Sequence, residues 1–147
     1  MSSQPFVLKP RDRKHDLNAI GVRVTVLASG SDIQDQQITE QSGAEGVGPP
    51  PHHHDWNESF YVTKGQVKFS CGGQTTMCPA GTLVHIPAGD VHAFSFGPGG
   101  GELLEITGQK SQAAAMFTAV DREIPPGRPN VPKVIQVLGE HGVMVER

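Results

Sequence analysis

A chain of 147 residues fits one domain, and at about this length folding buries roughly 68–70% of the unfolded surface, so a core forms without staples. With 18 glycines, 12 prolines and 36% hydrophobic residues, the composition excludes a bundle of long helices and favours short strands joined by turns. A formal charge of −3 leaves no basic stripe for nucleic acid, and no apolar run approaches the ~20 residues that cross a bilayer.

In chain order, the start MSSQPFVLKP lacks the charged-then-apolar plan of a secretion signal, so a soluble, cytoplasmic protein is expected. The basic run KPRDRKH is interrupted by Asp12 and reads as part of a solvated arm over residues 1–19. In GVRVTVLA, Val22, Val24 and Val26 alternate with polar or small partners, the period of a half-buried strand. Further short strands are predicted over 58–63, 66–71, 74–78, 83–86, 92–96 and 102–107, between glycine and proline punctuation. A two-residue turn at Gly72-Gly73 would set Cys71 opposite Gln74 and Val67 opposite Cys78. The two thiols then lie too far apart along the ladder for a disulfide, which agrees with a reducing compartment. Antiparallel strands of this kind hide their edges in a barrel or jelly roll, here over about residues 20–108.

After Gly108 the texture changes. SQAAAMFTAVDRE puts Ala113, Met116, Phe117 and Val120 on one face of a short helix. In NVPKVIQVLGEHG, Asn130 as N-cap, an early proline and a late glycine bracket a second helix. The tail over 109–147 closes with GVMVER, a strand that could add to an edge of this chain or of a second copy. No internal repeat or linker divides the chain.

The stretch GVGPPPHHHDWNESF, residues 46–60, carries the chemistry. On an extended backbone His52 and His54 point to one side and His53 to the other. After a turn at Asp55-Trp56-Asn57, Glu58 opens a strand on which Glu58, Phe60 and Val62 share a face. His92, Phe94 and Phe96 share a face of a later strand. Three neutral imidazoles and a carboxylate suit a divalent transition metal, whereas calcium or magnesium prefers an all-oxygen set. A solvated histidine loop is the alternative reading of the triplet alone. His53, His85, His15 and His141 are expected to be structural or solvated.

Two spaced motifs extend this reading. Gly46, five residues, His52, one, His54, three, Glu58, six, Gly65 is followed, after fifteen residues, by Gly81, five, Pro87, one, Gly89, two, His92. This pattern resembles the paired motifs of the cupins, over Gly46 to Phe96. The resemblance implies an all-β fold, a cupin-type jelly-roll β-barrel with short C-terminal helical segments. It also implies one metal ion per chain (Fe, Ni, Mn, Cu, Co or Zn) held by His52, His54, Glu58 and His92. Gly65 and Gly81 are expected at turns, and Pro87-Ala88-Gly89 in a turn that presents His92. Phe96 stands where the second motif often has Asn, which makes the pocket less polar.

The fold carries many activities, so function must come from the site. Phe60, Phe94, Phe96 and Leu104, with Met116 and Phe117 closing from the helix, are the expected substrate wall, suited to a small, flat, partly apolar molecule. The set is similar to that of single-domain bacterial quercetinase-like cupins. That likeness implies a metal-dependent dioxygenase in which Glu58 is both ligand and general base. The alternatives are a metal-dependent isomerase, lyase or decarboxylase, and a non-catalytic small-molecule-binding module. A homodimer is expected, with the N-terminal arm and the GVMVER tail crossing between subunits.

Overall fold

The computed structural model describes residues 4–146. A single 3-10 turn at Pro10–Asp12 interrupts an extended arm. Strands follow as β1 (Leu17–Ala19), β2 (Val22–Ala28), β3 (Gln37–Gly43), β4 (His52–His53), β5 (Glu58–Cys71), β6 (Gln74–Pro79), β7 (Leu83–Ile86) and β8 (His92–Thr107). Two helices, α1 (Ala113–Glu123) and α2 (Val131–Glu140), and a last strand β9 (Met144–Val145) complete the chain. All paired strands run antiparallel in one sheet of order β1-β2-β3-β8-β4-β9, from which β5 branches to pair with β6, β7 and β8. The sheet curls into a jelly-roll barrel.

The spine is the long β5/β8 ladder, from Glu58↔Thr107 to Cys71↔His92. Glu58 and His92 sit at its opposite ends, yet their side chains meet at 2.9 Å, so the ladder folds back on itself. The corner is marked by register shifts between Val62 and Lys64 and between Gly65 and Val67. Gly65 has φ +64°, and a Cβ there would collide with the Gly100 carbonyl oxygen. Only glycine meets both demands. Gly65 thus sits at a bulge inside one continuous strand rather than at a turn, and the predicted pieces 58–63 and 66–71 are joined. The pieces 92–96 and 102–107 are joined in the same way. The turn at Gly72-Gly73 gives the expected register, Cys71↔Gln74 and Val67↔Cys78, and both cysteines are free.

Inside the barrel, Phe60, Phe69, Phe94 and Phe96 form a packed aromatic cluster with centroids 5.1–5.7 Å apart, within the range of favourable edge and tilted contacts. Helix α1 buries Ala113, Met116, Phe117 and Val120, the face read from sequence. Asn130 caps α2 by accepting from the Lys133 N–H. Strand β9 pairs with β4 in this chain. Among the described residues no helix is long and apolar enough to cross a membrane.

Candidate metal centre

The approach to the site leaves no room for a side chain at Gly48. Gly46 N–H donates to the Phe96 carbonyl and Phe96 N–H donates to Val47, at 2.8 and 2.9 Å. A Cβ at Gly48 would collide with the Phe94 carbonyl oxygen, a backbone atom in the central strand. Gly48→Ala is therefore expected to destabilise the fold by about 3 kcal/mol and to lower its thermal midpoint by roughly 6–12 °C. Calorimetry checks this, and an unchanged midpoint would show that the segment is free to move off β8. Beyond Gly48, three prolines lead into β4, where His52 pairs directly with His92 of β8.

His54, one residue past β4, is fixed by the loop that follows. Its carbonyl accepts from Gly89 N–H at 2.8 Å, and the Asn57 side-chain oxygen accepts from Ala88 N–H at 3.0 Å. The Pro87-Ala88-Gly89 turn, closed by Asp90 N–H to the Pro87 carbonyl, is thereby locked to the loop carrying His54. One small latch positions both histidines.

Each of the three imidazoles spends its Nδ1 on a backbone carbonyl. His52 donates to Pro50 at 2.8 Å, His54 to Trp56 at 3.1 Å and His92 to Asp90 at 2.9 Å. A carbonyl oxygen only accepts, so every Nδ1 carries a proton and every Nε2 is turned inward. The ligating atoms of His52, His54 and His92 lie within 4.8 Å of one another. Glu58 Oε2 stands 2.9 Å from Nε2 of both His54 and His92. With Nδ1 already protonated, those Nε2 atoms can approach a carboxylate oxygen only by taking a second proton or by sharing a cation with it. Two ligands at right angles on an ion about 2.1 Å from each stand ~3.0 Å apart. Donor set, tautomers and spacing all fit a divalent transition metal.

The electrostatics point the same way. Burial pushes the Glu58 carboxyl up, but hydrogen bonds with His54 and His92 outweigh it and hold it well below the usual carboxylate range. Burial, with His92 adding to it, pushes His52 down to about 4, which keeps that imidazole neutral and ready to ligate at neutral pH. Burial works against the charged form of His92 too, yet its hydrogen bond and Coulomb attraction to Glu58 lift it above the ordinary histidine value.

His53 faces away and bonds Glu146 through Nδ1 at 2.6 Å. His85 bonds Ser59, His141 bonds the Val137 carbonyl, and His15 is exposed. None of the four joins the cluster.

His52, His54 and Glu58 form one wall of a cavity of ≈ 100 Å³, with His92 behind them. Phe60 and Phe94 line it, and Met116 and Phe117 of α1 cover it, joined by Ile20, Leu138 and Val143. Phe96 does not reach it; its ring packs edge-on behind Phe94 at 5.6 Å. Leu104 corrects the sequence reading. It lies on the outer face of β8, half-buried, between the inward residues Leu103 and Glu105. Several groups of the cavity were missed from sequence. Trp56 stacks on His54 at 4.3 Å with 10° between the rings. Gln41 and Glu105 line the cavity and are buried, as is Thr39 beside them. Burial, reinforced by the charge of Glu58, raises the Glu105 carboxyl well above the carboxylate range.

A family model described as "Cupin domain" matches residues 40–106, the span that contains all four candidate ligands. Residues 40–106 form a cupin domain. Solved structures agree on the fold. The polyketide cyclase RemF from Streptomyces resistomycificus is similar at 24% identity and a TM-score of 0.61, over 71% of this chain and 80% of that one. KdgF from a Halomonas species is similar at 14% identity and a TM-score of 0.66, over 76% and 99%. The DMSP lyase DddQ from Ruegeria pomeroyi is similar at 17% identity and a TM-score of 0.54, over 60% and 47%. No curated protein matches the sequence. At these identities the structural likeness speaks for the fold, and the chemistry of this chain rests on its own side chains.

Proposed function

We propose that the protein is a metal-dependent enzyme that deprotonates a small, mainly apolar enol or phenol and adds dioxygen to it, a quercetinase-like dioxygenase. The observation that carries this is the convergence of three imidazoles and the Glu58 carboxylate beside a cavity that His52, His54 and Glu58 line and that is otherwise lined mainly by apolar side chains. His52, His54, His92 and Glu58 would hold the ion. When bound, a divalent ion supplies Lewis acidity towards a substrate oxygen and a site for dioxygen. Glu58 would accept the substrate's hydroxyl proton, being the carboxylate that lines the cavity beside the imidazoles. Phe60 and Phe94 offer ring faces to a flat substrate, while Met116 and Phe117 keep bulk water out. At ≈ 100 Å³ the cavity is smaller than the ~150 Å³ that holds a benzene ring. A small enol therefore suits it as it stands, and a larger ring system requires α1 and α2 to move.

A second reading, an isomerase, lyase or cyclase that uses no dioxygen, is favoured by Glu105. A carboxyl that keeps its proton beside Glu58 could return a proton to carbon once the first has been taken. Both readings begin with the same deprotonation and diverge afterwards. The full-length protein, loaded in turn with Fe, Ni, Mn, Cu, Co and Zn, should be given a panel of small enediols, phenols and flavonols in an oxygen electrode. Uptake of one dioxygen per substrate consumed is the expected result. Turnover that persists without oxygen selects the second reading, and silence across the panel removes both.

A further inference from the structure

The residues that line the cavity differ in how they meet solvent. Those contributed by α1 and α2, and Val143 after them, are all buried. The exposed ones are Ile20, in the turn between β1 and β2, and Pro50, in the proline approach to β4. Their neighbours Ala19, Gly48 and Pro49 line the cavity half-buried. The cavity therefore comes nearest to solvent on the side of this turn and the prolines.

Ile20 is out of place as a turn residue. Ala19 pairs with Val22, so Ile20 and Gly21 make a two-residue turn, and both have positive φ, 54° and 90°. Such a turn calls for Asn-Gly, and a β-branched side chain in this region is a strained outlier. Burial does not compensate: Ala19 and Val22 pack with the core, whereas Ile20 stays 36% exposed. The turn is nonetheless held in place. Asn18 Oδ1 accepts from Gly21 N–H at 3.0 Å, and Asn18 N–H donates to Asp121 of α1 at 2.8 Å. On the other side, a Cβ at Gly21 would come within 3.3 Å of Val47, in the segment that leads to the prolines. Backbone strain kept by its surroundings clusters at ligand-binding positions.

We propose that the cavity opens to solvent between Ile20 and Pro50, and that Ile20 is a specificity-determining residue at this mouth: its apolar side chain narrows the opening and admits small apolar molecules in preference to bulkier ones. This rests on reading the cavity as the seat of the small enol or phenol. A residue that served only to shape the turn would give way to asparagine with a gain in stability and no change in access.

The test is quenching of Trp56 emission by acrylamide, a small neutral probe, in the full-length protein. Trp56 is the sole tryptophan, lines the cavity and is 4% exposed, so quenching reports access to the cavity. Ile20→Gly, which accepts the same φ, should raise the quenching constant at least about twofold, an order-of-magnitude expectation for a mouth that no longer waits on local opening. Ile20→Leu keeps the apolar bulk and should stay close to wild type. Ile20→Asn should raise the constant while its thermal midpoint is kept or raised; it carries the test alone should Ile20→Gly not fold. Quenching unchanged in Ile20→Gly, or in Ile20→Asn where only that variant folds, overturns the inference, as does an equal rise in Ile20→Leu. A midpoint lowered by roughly 6 °C or more in Ile20→Asn, as when a core side chain is truncated, makes Ile20 a packing residue and overturns it too. On the substrates that the oxygen-electrode panel identifies, Ile20→Gly should raise kcat/KM for the bulkier relative to the smaller, and an unchanged ratio overturns the selecting role. Silence of the wild type across that panel overturns the functional reading beneath, and quenching still decides the mouth.

Discussion

Replacing His52, His54 or His92 with alanine should weaken divalent-ion binding by at least ~100-fold, beyond the range seen when only a supporting partner is lost, whereas His53→Ala should leave binding within a factor of about two. The contrast follows from geometry. The first three turn Nε2 into the cluster while their Nδ1 atoms are tied to carbonyls of Pro50, Trp56 and Asp90. His53 points outward to Glu146, and that half-exposed pair contributes about 0–1 kcal/mol to stability. Trp56 provides the readout, because it stacks on His54 and no other tryptophan obscures its emission. Titration with Co(II) or Ni(II) should quench it saturably in wild type and in His53→Ala. Equal losses at all four positions would mean that the triplet acts as a loose histidine tract and that the alternation of faces has no functional meaning.

The second large effect is expected at Glu58. Glu58→Gln keeps the shape of the side chain and one oxygen able to ligate, but the amide takes up no proton at neutral pH. Turnover of whichever substrate the oxygen-electrode panel identifies should fall by ~10²–10⁴-fold, the worth of a positioned general base. The fall should appear in kcat, with KM moving much less, since ring contacts at Phe60 and Phe94 are untouched. Metal content, measured on the same sample, separates the two roles of Glu58. Full metal with lost turnover assigns it as base; lost metal assigns it chiefly as ligand. Full metal with full turnover would remove the base role.

Much of this was legible from residue spacing. The alternation of His52 and His54 against His53, the face shared by Glu58, Phe60 and Val62, and the Gly72-Gly73 turn all follow from period-two geometry. What was hidden falls into two kinds. At Gly65 and within GPGGG after Phe96, glycine reads as a break between strands, but here it lets one long ladder bend, so four predicted strands are two. In QITEQSG and in LEIT, residues 104–107, the usual rule that apolar side chains face inward is reversed. Thr39, Gln41 and Glu105 point into the barrel, and Leu104 points out. A one-residue shift in pattern inverts a strand's faces. Nothing in a single sequence marks a barrel interior as the place where polar groups gather, so β3 was missed and Leu104 was assigned to the wrong side.

The last strand adds a consequence for timing. β4 is only two residues long, and its outer edge is covered by β9, with His52 opposite Val145 and His53 bonded to Glu146 across a sequence separation of 93. On its other side β4 meets β8 through the single pair His52↔His92, and β9 is short and can lift alone. The rate at which an ion leaves the site would then follow the opening of β9, and hydrogen exchange at Val145 and Glu146 would keep time with ion release.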